Sequence, residues 1–161
     1  MRFHIIPRST ILGENLFRGI HEHTIDPKGR LSIPSKFREI LAASNDERLI
    51  VTNYDSCLWA YPVAEWKVLE EKIAKVSQLR PEVKAFQRFV VSAACECPLD
   101  PNGRIIVPTT LRRYAALMKE VVLVGAVSRI EIWARERWRK VVEQAEKDLA
   151  SLGGKLADLG I

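Results

Sequence analysis

The chain repeats itself, and that duplication constrains its fold more than any other feature. Residues 21–38 read HEHTIDPKGRLSIPSKFR and residues 95–112 read CECPLDPNGRIIVPTTLR. At an offset of 74, with no gaps, seven of eighteen positions are identical: Glu22/Glu96, Asp26/Asp100, Pro27/Pro101, Gly29/Gly103, Arg30/Arg104, Pro34/Pro108 and Arg38/Arg112. A weaker match continues at an offset of 72, where Leu49-Ile50-Val51-Thr52 faces Val121-Val122-Leu123-Val124 and Trp66 faces Trp138. A solenoid needs three or more repeats to bury its faces. Two copies of a unit of about 45 residues therefore predict a pseudo-two-fold pair sharing one core.

Local chemistry is readable within each copy. Asp-Pro-Lys-Gly and Asp-Pro-Asn-Gly place Asp, Pro and Gly where a type I turn wants them, and a left-handed Gly after such a turn closes a short bulged hairpin loop. The flanking apolar residues (Ile25, Leu31, Ile33; Leu99, Ile105, Val107) alternate as in half-buried strands. Pro34 and Pro108 suit the first position of short helices, 34–41 and 108–116. Second hairpins follow, 49–52 with 58–61 and 121–124 with 130–133. Trp66, Leu69, Ile73 and Val76, and likewise Trp138, Val141, Ala145 and Leu149, fall at helical spacing. Arg80-Pro81-Glu82 opens a further helix with Val83, Phe86 and Val90 on one face.

The fold expected is α+β: two pseudo-symmetric β units sharing one core, with packing helices. Residues 20–65 form the first repeat, 66–93 connecting helices, 94–137 the second repeat, and 138–161 a C-terminal helix and tail that includes Gly153-Gly154. Residues 1–16 precede the first copy as an extension.

Composition narrows the function classes without choosing among them. The net charge is +5 over 161 residues, and the segments 1–15, 16–46, 47–90, 91–120 and 121–161 each carry +1. No basic tail exists, so DNA binding is permitted rather than indicated. Three Cys fit a reducing cytoplasm better than a disulfide scaffold. The apolar runs are too short to span a membrane, and the first residues lack a secretory apolar segment. No phosphate-binding glycine loop, nucleophile elbow or zinc-protease helix occurs, so neither an enzyme, a cofactor nor a small-molecule substrate is expected.

The repeated Asp-Pro-x-Gly-Arg is the sharpest candidate site. Asp26 and Asp100 can accept from turn amides or pair with Arg30 and Arg104, holding a guanidinium at the loop base. Arginine suits bidentate contact with phosphate or a guanine edge, and Lys28 and Asn102 sit at the loop tips. A purely structural turn is the competing reading, but a turn of this type does not require the Arg that is duplicated with it. Pattern alone leaves both open. His21 and His23 with Cys95 and Cys97 could complete a tetrahedral zinc shell only if their strands met, and their spacing departs from zinc signatures, so packing is the expectation and no metal is assigned. A carboxylate pair of Glu22 and Glu96 is similarly outweighed by ordinary strand-edge charges. Trp59, Trp66, Trp133 and Trp138 read as core or interface rather than as a stacking platform for single strands.

With these residues in view, the sequence resembles the MraZ family, double-copy relatives of the AbrB (SpoVT-AbrB) swapped-hairpin DNA-binding domains. The match is carried by Phe17-Arg18-Gly19, Asp26 to Pro34, Cys57-Leu58, Tyr61-Pro62, Glu65-Trp66, Phe86-Gln87-Arg88, Glu96-Cys97, Asp100 to Pro108, Lys119 to Gly125 and Glu131-Ile132-Trp133, over about residues 17–142. The resemblance implies a cytoplasmic, nucleoid-associated ring of identical subunits. It also implies binding to short direct repeats in promoter DNA upstream of the family's own operon, in the division and cell wall gene cluster, with repression as the usual outcome. By position, Arg30 and Arg104 are the D-x-x-x-R arginines and Asp26 and Asp100 their partners, with Gly29 and Gly103 supporting the turns. Lys28 matches the family's basic residue, whereas Asn102 replaces it in the second copy, which puts equal contributions in doubt. Arg38 and Arg112 are expected to serve structure or weak phosphate contact. Family members begin Met-Phe-Arg-Gly; Leu16-Phe17-Arg18-Gly19 here makes Leu16 a candidate start from a non-standard codon. The alternative function is a structural or protein-interaction ring with no specific DNA target.

Overall fold

The computed structural model describes residues 16–161, so the extension and the start-site expectation fall largely outside the described residues. The order is β1 (Ile20–Thr24), β2 (Arg30–Ser32), α1 (Ser35–Ala43), β3 (Arg48–Tyr54), β4 (Cys57–Pro62), α2 (Val63–Ala74), α3 (Pro81–Phe86), a π-turn (Gln87–Val91), β5 (Cys95–Pro98), β6 (Arg104–Ile106), α4 (Thr109–Ala115), β7 (Glu120–Ala126), β8 (Arg129–Ala134) and α5 (Arg135–Ala157). This mixed α and β architecture is built on antiparallel pairing throughout.

The second hairpins form as the alternation predicts, β3 with β4 and β7 with β8. The first hairpins do not form ladders of their own. In the first copy Asp26 N–H donates to the Arg30 carbonyl at 3.2 Å, and Ile25 and Leu31 make a single bridge. Beyond that tip the arms part: β1 joins β7, while β2 pairs with β6. The second copy mirrors this, β5 joining β3. Alternation fixes which face of a strand is buried and leaves its partner open. Here each copy's first strand covers the edge that the other copy's second hairpin would otherwise leave unpaired.

The result is a six-stranded sheet, β1-β7-β8-β4-β3-β5, whose order is symmetric about the β8–β4 seam, and a two-stranded ribbon, β2-β6. One apolar core runs through both copies: Leu31, Phe37, Leu41 and Leu49 from the first pack in the same cluster as Ile105, Leu111, Leu123 and Ile132 from the second. The main core is thus shared by the two repeats, while a smaller cluster of Tyr61, Trp66 and Val90 packs beneath the connecting helices.

The helices depart from expectation in detail. Pro34 and Pro108 stand one residue outside α1 and α4, with ψ of 141° and 148°, because the strands β2 and β6 run almost directly into them. Pro81 does occupy the start of α3. Gly153 and Gly154 lie inside α5 rather than in a tail. Trp66 and Trp133 are buried, Trp66 against Tyr61 and Trp133 against Trp138, in keeping with a packing role. The Trp59 ring is covered by the Arg129 guanidinium at 4.0 Å, which removes that face as a platform for a base.

Candidate nucleic-acid interface

Each Asp-Pro-x-Gly-Arg segment closes into the same loop. Asp26 Oδ1 accepts from the backbone N–H of Lys28 at 3.0 Å and of Arg30 at 2.9 Å, while its Oδ2 accepts from Arg30 Nε at 2.5 Å. Asp100 repeats the pattern with Asn102 N–H at 2.8 Å, Arg104 N–H at 2.9 Å and Arg104 Nε at 3.2 Å. The carboxylate thus uses one oxygen to hold the turn and the other to aim the guanidinium. Both carboxyls titrate below the ordinary carboxylate range, chiefly because the backbone N–H of Arg30 or Arg104 stabilises the charged form. These pairs are half-exposed, so their value lies in orientation more than in stability. Gly29 and Gly103, at φ of +84° and +72°, make the left-handed step that returns the chain to the strand.

The loops are held against each other across the repeats. Ile33 N–H donates to the Gly103 carbonyl at 3.0 Å, and Val107 N–H to the Gly29 carbonyl at 2.8 Å. Arg112 Nε donates to the Val107 carbonyl at 3.0 Å and Nη1 to the Pro27 carbonyl at 3.1 Å. Arg38 Nε donates likewise to the Ile33 carbonyl at 3.0 Å, its side chain lying against Gly103. These two arginines therefore buttress the opposite repeat's loop, which is the structural one of their two expected roles.

The ribbon register decides where the site faces. Arg30 sits opposite Ile106, Leu31 opposite Ile105 and Ser32 opposite Arg104. Leu31 and Ile105 are fully buried beneath the ribbon. Alternation then turns Arg30, Ser32, Arg104 and Ile106 outward together. Arg30 and Arg104 line one hollow of about 500 Å³ with Asp26, Met118 and Lys119. Lys28 and Asn102 are exposed at the loop tips. Two residues here were not among the site candidates, although Lys119 stands in a stretch that carries the family resemblance. Lys119 enters through the turn before β7, where its carbonyl accepts from Ile25 N–H at 2.8 Å. Ile106 is 63% exposed on the outward face, opposite Arg30 at one end of the ladder. The signal for both lay in the repeat comparison, where Lys119 faces Glu47 and Ile106 faces Ser32.

The other candidates are scattered. His21 and His23 lie on β1, and Cys95 and Cys97 on β5, at opposite edges of the sheet. The strands never meet, so the four side chains cannot share a metal. His23 Nδ1 donates to the Ser32 carbonyl at 2.9 Å. His21 packs edge-on against Phe37, and desolvation foremost, with His23 and Lys36, lowers its pKa. Burial pushes the Cys97 thiol up to about 12, so it is inert as a nucleophile. Glu22 and Glu96 lie on the same two opposite edges, and Glu96 pairs with Arg48 at 2.7 Å.

A duplicated, pseudo-two-fold antiparallel fold that presents paired Asp–Arg loops on one ribbon defines the class: a two-repeat loop-presenting protein. A family described as "MraZ protein, putative antitoxin-like" matches residues 16–89 and again residues 90–153. The chain is 50% identical over 147 residues to "Transcriptional regulator MraZ" of Desulfitobacterium hafniense (strain DSM 10664 / DCB-2), covering 91% of this chain and all of that protein. It is 46% identical over the same length to the protein of that name from Heliobacterium modesticaldum, covering 91% and 100%, and 44% identical to that from Pelotomaculum thermopropionicum, covering 91% and 99%. The chain belongs to the MraZ family.

Proposed function

We propose that this chain is a transcriptional regulator that binds double-stranded promoter DNA through Arg30 and Arg104, with Lys28 and Asn102 reaching from the loop tips. The observation that carries the reading is the β2–β6 ribbon, whose outward face holds both arginines over a buried Leu31–Ile105 pair. A two-stranded ribbon fits the major groove, and arginine is the side chain best shaped for guanine O6 and N7. The relatives' name, transcriptional regulator, supports the same class.

Two arginine loops per protomer make a weak, salt-sensitive contact. A homo-oligomeric ring that lays several loop pairs on short direct repeats gains affinity through effective concentration. Supporting self-association, α5 packs on the protomer near its start, through Arg137 and Trp138, and exposes Val141, Val142, Leu149 and Leu152 further along. In this reading the ring works in the cytoplasm at the nucleoid and represses its own operon in the division and cell wall gene cluster. No helix among the described residues is long and apolar enough to cross a membrane.

The test is binding of the purified chain to the DNA immediately upstream of its gene, followed by Arg30→Ala. Loss of the shifted complex with oligomer mass unchanged is the expected result. Retained binding by an intact oligomer overturns the assignment of Arg30, and absence of any salt-dependent, sequence-preferring binding by the parent favours a structural or protein-interaction ring.

A further inference from the structure

The pseudo-two-fold axis relates the two loops in backbone, but the charges around them are not related. Lys119 and Glu47 are equivalent positions: the Lys119 carbonyl accepts from Ile25 N–H at 2.8 Å, and the Glu47 carbonyl accepts from Leu99 N–H at 3.0 Å. Both side chains are exposed, one beside each loop. The hollow at the first loop is lined by three cations, Arg30, Arg104 and Lys119, and one carboxylate, Asp26. A different hollow, between the second loop and α1, is lined by one cation, Arg38, and three carboxylates, Glu39, Glu47 and Asp100, while Arg104 itself lines the first hollow. Arg38 is already committed to the Ile33 carbonyl, and the position matching Glu39 in the other copy is Arg113. At the loop tip Lys28 is matched by Asn102.

We infer that the first loop is the dominant DNA contact, with Lys119 as an additional phosphate-binding residue, and that Glu47 and Glu39 hold the second loop to a subordinate role, so that one protomer engages DNA in a single orientation. The inference rests on the DNA-binding reading above. Its physical basis is that affinity for duplex DNA comes mostly from phosphate neutralisation, to which each lysine contributes and which each neighbouring carboxylate opposes. Inside one Debye length, about 10 Å at moderate salt, exposed Glu39 and Glu47 repel phosphate at the second loop, where their repeat equivalents Arg113 and Lys119 attract it at the first. A protomer with two equal halves would read a palindrome; one with a cationic half and an acidic half distinguishes the two directions along the duplex.

The experiment uses the full chain and the DNA fragment immediately upstream of its gene, with dissociation constants measured over a salt series. Lys119→Glu is expected to weaken binding about tenfold at low salt and to lower the slope of log K against log salt by about one. Glu47→Lys is expected to strengthen binding several-fold and to raise that slope, and Arg30→Ala to cost more than Arg104→Ala. Both inverted residues are exposed, and thermal melts of the variants check that the fold is intact. Lys119→Glu binding as tightly as the parent, or equal losses for the two arginines, overturns the inference. Absence of salt-dependent binding by the parent itself overturns instead the DNA-binding reading on which it rests.

Discussion

Arg112, from the second repeat, lies against the open face of Gly29 in the first. A Cβ built on Gly29 would sit 3.0 Å from Arg112 Nε and 2.6 Å from the Val107 carbonyl oxygen. The glycine thus meets two demands, a left-handed φ of +84° and the close approach of the other repeat. Arg38 stands in the same relation to Gly103. Loop geometry in each copy is consequently a property of the pair.

Gly29→Ala should therefore destabilise the fold more than Gly103→Ala. Both substitutions carry the strain of a left-handed non-glycine residue, of order 1–3 kcal/mol. Only at Gly29 is the nearest obstacle a backbone carbonyl; at Gly103 it is the Arg38 side chain, which can shift. At this chain length each kcal/mol lowers Tm by about 2–4 °C, so differential scanning calorimetry resolves the order. Equal melting temperatures would remove the backbone clash from the account.

Arg112→Ala removes hydrogen bonds to the carbonyls of Val107 and Pro27 and to Thr109 Oγ1. With two carbonyls losing a charged donor, a loss of about 1–3 kcal/mol is expected in urea unfolding. Arg112→Lys should recover little of it, since an ammonium cannot reproduce the planar fork. Full rescue by lysine would show that charge alone matters there.

The Asp26 and Asp100 carboxyls ionise more readily in the folded protein than in the unfolded chain. A depressed folded-state pKa contributes stability above the unfolded value, near 3.9, and that contribution disappears as pH falls through the folded pKa. Carboxyl-carbon NMR titration should place both midpoints below 3.9, and the N–H resonances of Arg30 and Arg104 should move with them. Midpoints at or above the free-chain value would contradict the loop geometry.

Ile106 stands opposite Arg30 on the outward face. If that face enters the major groove, an apolar side chain beside an arginine favours a thymine methyl next to a guanine. Promoter DNA prepared with uracil in place of thymine should bind the parent several-fold more weakly, and Ile106→Ser should abolish the difference. An undiminished difference in the variant would assign the methyl contact elsewhere.

The apolar face of α5 yields a separate expectation for assembly. Val142→Glu combined with Leu149→Glu should reduce the mass measured by light scattering without lowering helix content, because both positions are exposed on the protomer (42% and 57%). An unchanged mass would place the subunit contact on another surface.

The amino-acid sequence by itself determined the duplication, the loop chemistry and the face of each strand. Asp, Pro, Gly and Arg at fixed offsets specify a turn that aims a guanidinium, and alternation about Leu31 and Ile105 specifies what is buried. Those are local properties, set by φ/ψ preference and a period of two. Strand partners are not local. Only the tertiary structure decided that β1 leaves its own hairpin for β7 and that β2 meets β6, because pairing is settled by which unpaired edge and which apolar face lie within reach. That choice separates His21 and His23 from Cys95 and Cys97, commits Arg38 and Arg112 to the opposite loops, and turns Arg30 and Arg104 to one side. It also sets Lys119 beside one loop and Glu47 beside the other, a difference of charge that evenly spread composition conceals and proximity alone makes effective.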